Sequence, residues 1–282
     1  MEKGDDIMFG TLYIVATPIG NLDDITLRAI KVLKDADLIA AEDTRHTLKL
    51  LNHLEISKPL ISYYKQNEKV KTDILVEKLK DGKNIALVSD AGTPVISDPG
   101  EEVVKSAIEN NIKVVPIPGP CALITALISS GISAKEFEFI GFLPVNKKEK
   151  QEKLKEVAED TKTLIFYEAP HKLISTLEEM KEVLGNRKIC LARELTKIHE
   201  EFLIGNISYL LDRVQEPKGE YVIVVEGSNI SKKEIEKNKL KEMTIEEHYK
   251  YYEKLGYEKK EIIKRIAKDR SVNKNEIYKL FV

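Results

Sequence analysis

What most constrains this chain is an alternation of short apolar runs with helix-period segments between residues 11 and 145. The runs at 12–16, 38–41, 60–63, 85–88 and 114–117 are strand-length. Between them, 27–33, 46–54, 74–79 and 103–108 repeat apolar residues at helical spacing. Parallel strands need a long crossover to return the chain, and a helix supplies it, so this pattern predicts a mainly parallel sheet covered on both faces. A further strand at 137–142 is expected to close this first lobe.

After Pro144, the charged stretch NKKEKQEKLKEVAEDTK reads as a helix crossing into a second lobe. That lobe is expected to hold strands at 163–167, 189–192, 201–204 and 221–225, with a helix at 173–184. Three short helical segments follow at 245–255, 259–269 and 274–281. A chain of 282 residues accommodates roughly two domains at about 100–200 residues each. The division expected is a first α/β lobe over 1–143, a second α/β lobe over 144–229 and a helical tail over 230–282. The fold class is therefore α/β, with a mostly parallel first sheet, a mixed second lobe and a small helical tail.

Charge is unevenly spread. Lys plus Arg is 45 against 47 Asp plus Glu, a net of −2. Residues 231–282, however, carry 15 basic and 10 acidic residues, net +5, leaving the remainder at −7. A basic tail on an acidic body suggests a polyanionic partner. In that tail Ile262, Ile263, Ile266 and Ala267 are expected to face Ile277, Leu280 and Phe281, as in a small helix-turn-helix. Lys264, Arg265, Lys268, Arg270 and Lys274 would then point outward, where they suit phosphate contact. A packing appendix that stabilises the second lobe or a dimer is the other reading.

Only Cys121 and Cys190 are present, without a CxxC pair, which favours a reducing compartment. The opening MEKGDDIM lacks the basic and apolar regions of a signal peptide. Residues 114–134 carry no charge and are long enough to span a bilayer, but Pro116, Pro118, Gly119 and Pro120 interrupt them. A buried strand, a tight turn and a buried helix are expected there. The protein reads as soluble and cytoplasmic, with no membrane partner.

In open α/β sheets ligands bind beyond the carboxyl ends of the strands. The loops at that edge are TPIGNL, AEDTRH, SDAGTPVISDPG and PIPGPCA, and they collect the glycine and proline that the helices lack. No GxG occurs anywhere, nor a GxxxxGK[ST] cradle, so the usual pyrophosphate turns are absent. The five histidines show no HExxH and no metal-ligand spacing. No metal site is expected. A nucleotide-like ligand without phosphates would still suit such loops, since it needs backbone contacts and an apolar slot.

The blocks GTLYIVATPIGNLDDIT, AAEDTRHT, SDAGTPVISDPG and PIPGPCALITAL resemble the signature loops of the tetrapyrrole-methylase superfamily. With FYEAPHKLISTL, ARELTKIHEEF and GEYVIVVEG they are similar to its branch of 16S ribosomal RNA (cytidine-2′-O)-methyltransferases. The resemblance spans nearly the whole chain. Its one departure is Lys172, where the family has arginine; the charge is kept and the fork geometry lost. The resemblance implies S-adenosylmethionine as cofactor, held between two α/β lobes of a homodimer, with 16S rRNA of the small ribosomal subunit as partner and no DNA. It also implies cofactor contacts at Pro18, Asp90, Gly92, Thr93, Ile96, Cys121 and Ala122, closed from the second lobe by Tyr167, Leu195 and Glu220.

Methyl transfer from a sulfonium is an in-line displacement, and a ribose hydroxyl attacks well only when its proton is accepted. Candidate proton acceptors are Glu42 and Asp43 after the second strand, and Glu168 and His171 in the YEAPH block. Arg45, Arg193 and Lys197 suit phosphate grips or polarisation of the hydroxyl. Glu42, Asp43 and Arg45 also suit a local ion pair capping the next helix, Glu194 beside Arg193 suits an internal salt bridge, and Cys121 suits packing. Gly119 is expected to let the backbone approach a ligand. Two other functions fit the blocks less well: a superfamily member acting on a tetrapyrrole or a modified protein histidine, and a non-enzymatic RNA-binding assembly factor.

Overall fold

The computed structural model describes residues 9–229 and 240–281. The opening MEKGDDIM, the start of the basic tail at 230–239 and Val282 lie outside the described residues. The first sheet contains β1 (Thr11–Val15), β2 (Leu38–Ala41), β3 (Leu60–Ser62), β4 (Ile85–Val88) and β5 (Lys113–Ile117). They lie in the order β3-β2-β4-β1-β5, all parallel, as the alternation predicts. Helices α1 (Leu27–Asp35), α2 (Thr44–His53), α3 (Glu68–Lys80) and α4 (Glu101–Glu109) return the chain. Leu33 of α1 and Leu51 of α2 pack on one face of the sheet, and Leu75 of α3 with Val103 of α4 on the other. Burial from both sides explains why every residue of β4 is apolar and buried.

The boundary between the lobes differs from expectation. Helix α5 (Ala122–Ser129) leaves the first sheet, and its Leu123, Ala126 and Leu127 pack on Ile165, Cys190 and Val224 of the second sheet. Strand β6 (Phe137–Phe142) does not close the first lobe but pairs parallel with β7 (Thr163–Glu168). The charged helix α6 (Lys147–Val157) is thus the crossover inside the second lobe, not the link between lobes. Apolar composition gives β6 its strand form, but composition does not name its partner. Strands β8 (Lys188–Arg193), β9 (Glu201–Asn206) and β10 (Tyr221–Val225) complete a mixed sheet in the order β6-β7-β10-β8-β9. Helices α7 (Pro170–Leu184) and α8 (Ile207–Arg213) cover the face opposite α5, together with α6. The α8 segment was not expected to be helical.

The tail forms α9 (Ile245–Lys254), α10 (Lys259–Arg270) and α11 (Lys274–Lys279) around Tyr252, Ile262, Ile263, Ile266, Ala267 and Ile277. Lys264, Lys268 and Lys274 are exposed as expected. Arg265 is not free to reach a phosphate: it ion-pairs with Glu261 at 3.2 Å and lies 4.0 Å from the Tyr257 ring centroid. Arg270 likewise turns inward, donating to His248 Nδ1 at 3.3 Å and to the Leu240 and Met243 carbonyls. Leu280 is exposed instead of packing. Among the described residues no helix is long and apolar enough to cross a membrane.

Candidate active site

Because the first sheet is parallel, β1, β2, β4 and β5 release their loops at one edge, and hydrogen bonds tie those loops together. Thr17 N donates to Gly92 O at 2.8 Å and Gly92 N returns a bond to Thr17 O at 3.0 Å. Asp43 N donates to Asp90 Oδ1 at 2.9 Å, joining the loops after β2 and β4. Thr93 Oγ1 donates to Pro120 O at 2.9 Å, joining those after β4 and β5. Gly92 sits at φ +82°, and a Cβ there would lie 3.0 Å from Ile19 Cγ2. The expectation for Gly119 is corrected. Its Cβ would fall 2.9 Å from Ala16 Cβ, so its small size serves the approach to the end of β1.

The opposite wall comes from the second sheet. Phe142, Tyr167 and Glu168 arrive at the ends of β6 and β7, Glu194, Leu195 and Lys197 follow β8, and Glu220, Tyr221 and Val222 come at the start of β10. β10 runs antiparallel to both β7 and β8, so its beginning shares an edge with their ends. Between the two walls lies a cavity of about 330 Å³. Asn21 N donates to Thr196 Oγ1 at 3.0 Å across the lobes. Glu194 and Thr196 hold φ of 49° and 64°, unusual for side-chain-bearing residues and hence a sign of a constrained turn.

The cavity is acidic. Glu42, Asp90, Asp98, Glu168, Glu194 and Glu220 line it against the single ammonium of Lys197, itself 3.0 Å from Glu194 Oε1. Burial, then Asp98 and Asp90, push the Glu42 carboxyl above its ordinary value. Burial also raises Asp98, reinforced by Asp90 and Glu220 and opposed by the Ser89 hydroxyl. Ile19, Ile96, Phe142, Leu195 and Val222 add apolar atoms to the lining. Phe139 and Phe142 pack edge-on against Tyr167 at centroid distances of 4.9 and 5.5 Å. Such a surface repels phosphate and suits a ligand that carries positive charge beside apolar atoms.

Residues 11–211 match the tetrapyrrole (corrin/porphyrin) methylases. The chain belongs to this family. Ribosomal RNA small subunit methyltransferase I of Halalkalibacterium halodurans is 50% identical over 274 residues, 96% of this chain and 94% of that one. The protein of the same name from Synechocystis is 44% identical, covering 96% and 97%. The resemblance read from the sequence blocks is borne out. Diphthine synthase superposes with a TM-score of 0.60 at 13% identity, over 80% of this chain and 94% of that one. Uroporphyrin III C-methyl transferase from Thermus thermophilus superposes with a TM-score of 0.56 at 16% identity, over 77% and 97%. These two bear on the fold alone, which is that of the tetrapyrrole methylases.

Of the cofactor contacts expected of a tetrapyrrole methylase, Asp90, Gly92, Thr93, Ile96, Cys121, Ala122, Tyr167, Leu195 and Glu220 all line the cavity. Pro18 does not; its neighbour Ile19 does. Among the catalytic candidates Glu42, Glu168 and Lys197 line it, and the others are placed elsewhere. Asp43 caps α2 by accepting from Arg45 N, and its other oxygen pairs with Arg45 Nη2 at 2.6 Å, which holds its carboxyl well below the usual range. His171 is exposed on the first turn of α7. Arg193 pairs with Glu201 at 2.6 Å, opposite it in the β8–β9 register. Asp98, Phe142, Tyr221 and Val222 were missed, and Glu194, read as a salt bridge beside Arg193, lines the cavity and pairs with Lys197 instead. Asp98 was legible, since SDPG continues the DAGTP loop; the other missed residues depend on how the second sheet pairs.

Proposed function

We propose that this tetrapyrrole methylase transfers the methyl group of S-adenosylmethionine to the ribose 2′-hydroxyl of a cytidine in 16S rRNA. Support for the substrate comes from relatives 44–50% identical that are named ribosomal RNA small subunit methyltransferase I. Support for the cofactor comes from one observation above all, the acidic two-walled cavity where the motif loops meet. Among the described residues no three His, Cys, Asp or Glu side chains are placed to hold one metal ion, so that acidity suits a diffuse organic cation. When bound, S-adenosylmethionine supplies an electrophilic methyl group on a sulfonium.

The protein's own groups then have separable tasks. The backbone at Gly92 and at Cys121–Ala122 offers close contact, and the carboxylates balance positive charge. Glu42 is the candidate proton acceptor for the hydroxyl, because it is desolvated and faces the cavity. It takes up only a long 3.5 Å contact from Asp90 N. Glu42 would take the hydroxyl proton while S-adenosylmethionine, when bound, would give up its methyl group to the ribose oxygen and leave as the neutral thioether, keeping the carbon–sulfur electron pair. Lys197 stands at the rim to meet a phosphate or the hydroxyl. Exposed Lys264, Lys268 and Lys274 suit rRNA phosphates within an assembled small subunit. A second copy would cover Ile124 and Ile128, exposed one turn apart on α5, and the setting is cytoplasmic.

Purified protein incubated with S-adenosylmethionine and undermethylated small subunits is expected to yield 2′-O-methylcytidine on nucleoside analysis of 16S rRNA. Cells lacking the protein should lose that nucleoside. An unchanged content in such cells would remove rRNA as the substrate, and no heat of binding at millimolar cofactor would remove the cofactor.

A further inference from the structure

A buried charge lies behind the second wall of the cavity. Helix α6 buries Lys150, Leu154 and Val157, the spacing of one helix face, while Lys147, Lys148 and Lys155 are exposed. Lys150 therefore occupies an apolar position, and its side chain is only 8% exposed. Its Nζ lies 3.2 Å from Glu179 Oε1 and 3.4 Å from Thr176 Oγ1, both on α7. Thr176 is fully buried and donates to Glu168 Oε2 at 2.7 Å. The other oxygen, Glu168 Oε1, accepts from Ala169 N at 2.9 Å. Glu168 is part of the cavity wall.

Burying an ion pair where leucine would pack is a poor route to stability, because desolvation offsets most of the attraction. The arrangement does something else. An ammonium only donates, so the Thr176 oxygen accepts from Lys150 and its single proton is directed to Glu168. The chain of bonds thus runs one way, from ammonium to hydroxyl to carboxylate. Each Glu168 oxygen already receives one hydrogen bond and keeps a lone pair free.

We propose that Lys150 and Thr176 are positioning residues that fix Glu168 as an oriented acceptor facing the cavity, where it binds the positively charged methyl donor. This rests on the cofactor assigned under Proposed function. It gives Glu168 a role distinct from the proton acceptor Glu42, in binding and not in proton transfer.

The test uses the full-length protein, S-adenosylmethionine in calorimetry, and methyl transfer to small ribosomal subunits. Thr176→Val keeps the shape and removes the hydroxyl; it should weaken cofactor affinity about tenfold while kcat at saturating cofactor stays within about twofold. The acid limb of the pH profile should not move. Lys150→Met paired with Glu179→Met replaces the buried ions by apolar residues of similar length, and it should reproduce the affinity loss without a lower melting temperature. Lys150→Arg should recover most of the affinity. In a Glu168→Gln background Thr176→Val should add no further loss. Wild-type affinity in both Thr176→Val and the double methionine variant would overturn the relay and leave the methyl-donor assignment standing. Loss of affinity only in step with loss of folded protein, unrecovered by arginine, would also overturn it. If the wild-type protein binds no S-adenosylmethionine, the cofactor assignment fails and the relay with it.

Discussion

Glu42 and Glu168 stand on opposite walls of one cavity, each at the end of a strand, yet their surroundings are opposites. Glu168, the last residue of β7, has both oxygens engaged by short bonds from Ala169 N and Thr176 Oγ1. Glu42, after β2, has a single 3.5 Å contact and three acidic neighbours, Asp98, Asp90 and Asp43, that work against its ionisation. The same residue type is thereby set up for different work. A carboxylate held by two hydrogen bonds keeps its place, whereas one with a single long contact and acidic neighbours gains by taking a proton. The walls differ in the same sense. The first is stitched loop to loop at a parallel edge; the second is assembled where an antiparallel strand begins.

The strongest way to break this comparison is to collapse the first wall. Gly92→Val places a β-branched residue at φ +82° with its Cβ against Ile19. Cofactor binding is expected to disappear from calorimetry while the second sheet remains folded by circular dichroism. Retained affinity would show that the first wall is not where the ligand lies.

Next in size is the contrast between adjacent acids. Glu42→Gln should lower kcat about 100-fold, the usual scale for loss of a general base. Its raised carboxyl cannot accept a proton once protonated, so wild-type activity falls as pH drops through that value, which lies above 4.5. That acid limb should vanish in Glu42→Gln. Asp43→Asn, by contrast, keeps an oxygen to cap α2 and removes only the ion pair with Arg45, and kcat should stay within about threefold. Equal losses in the two variants would erase the distinction between a free and a satisfied acid.

The first wall was legible because one rule covers it: parallel strands place their exit loops together. DAGTP and the residues after PGP landed in the cavity on that rule. It says nothing of Gly119 serving β1, and it does not choose between a substrate role and the helix-capping ion pair that Asp43 and Arg45 form. The second wall was legible only through the resemblance. Tyr167, Leu195 and Glu220 came from matched blocks, while Tyr221 and Val222 depend on β10 entering between β7 and β8. Strand order is a long-range property that apolar periodicity does not encode. The same gap misplaced β6, whose composition fits either sheet.

A smaller effect separates the tail from both walls. Truncation before Ser231 should leave cofactor affinity unchanged and weaken small-subunit binding about tenfold. With Lys264, Lys268 and Lys274 gone, the dependence of log affinity on log salt should flatten by about 2. An unaltered slope would make the tail a packing element only.

The smallest expected effect is confined to that tail. His248 is completely buried, whereas His46, His53, His171 and His199 are exposed. Its Nδ1 accepts from Arg270 Nε at 3.3 Å, so the ring proton sits on Nε2, 3.4 Å from Asp269 Oδ2, with Tyr252 stacked at 5.3 Å. Burial first, and then the Arg270 guanidinium, hold the imidazole below 6.5, with Asp269 only partly offsetting them. An unfolded histidine near 6.5 takes up its proton before the folded one does. The unfolded state therefore binds more protons below that pH, and the stability of the helical tail is full above about 6.5 and declines as pH falls through the window beneath it. Amide exchange compared at neutral and mildly acidic pH should show protection falling in α9 and α10 while β1 and β4 are unchanged. A parallel fall in the first sheet would mean that the tail and the cavity walls unfold as one unit.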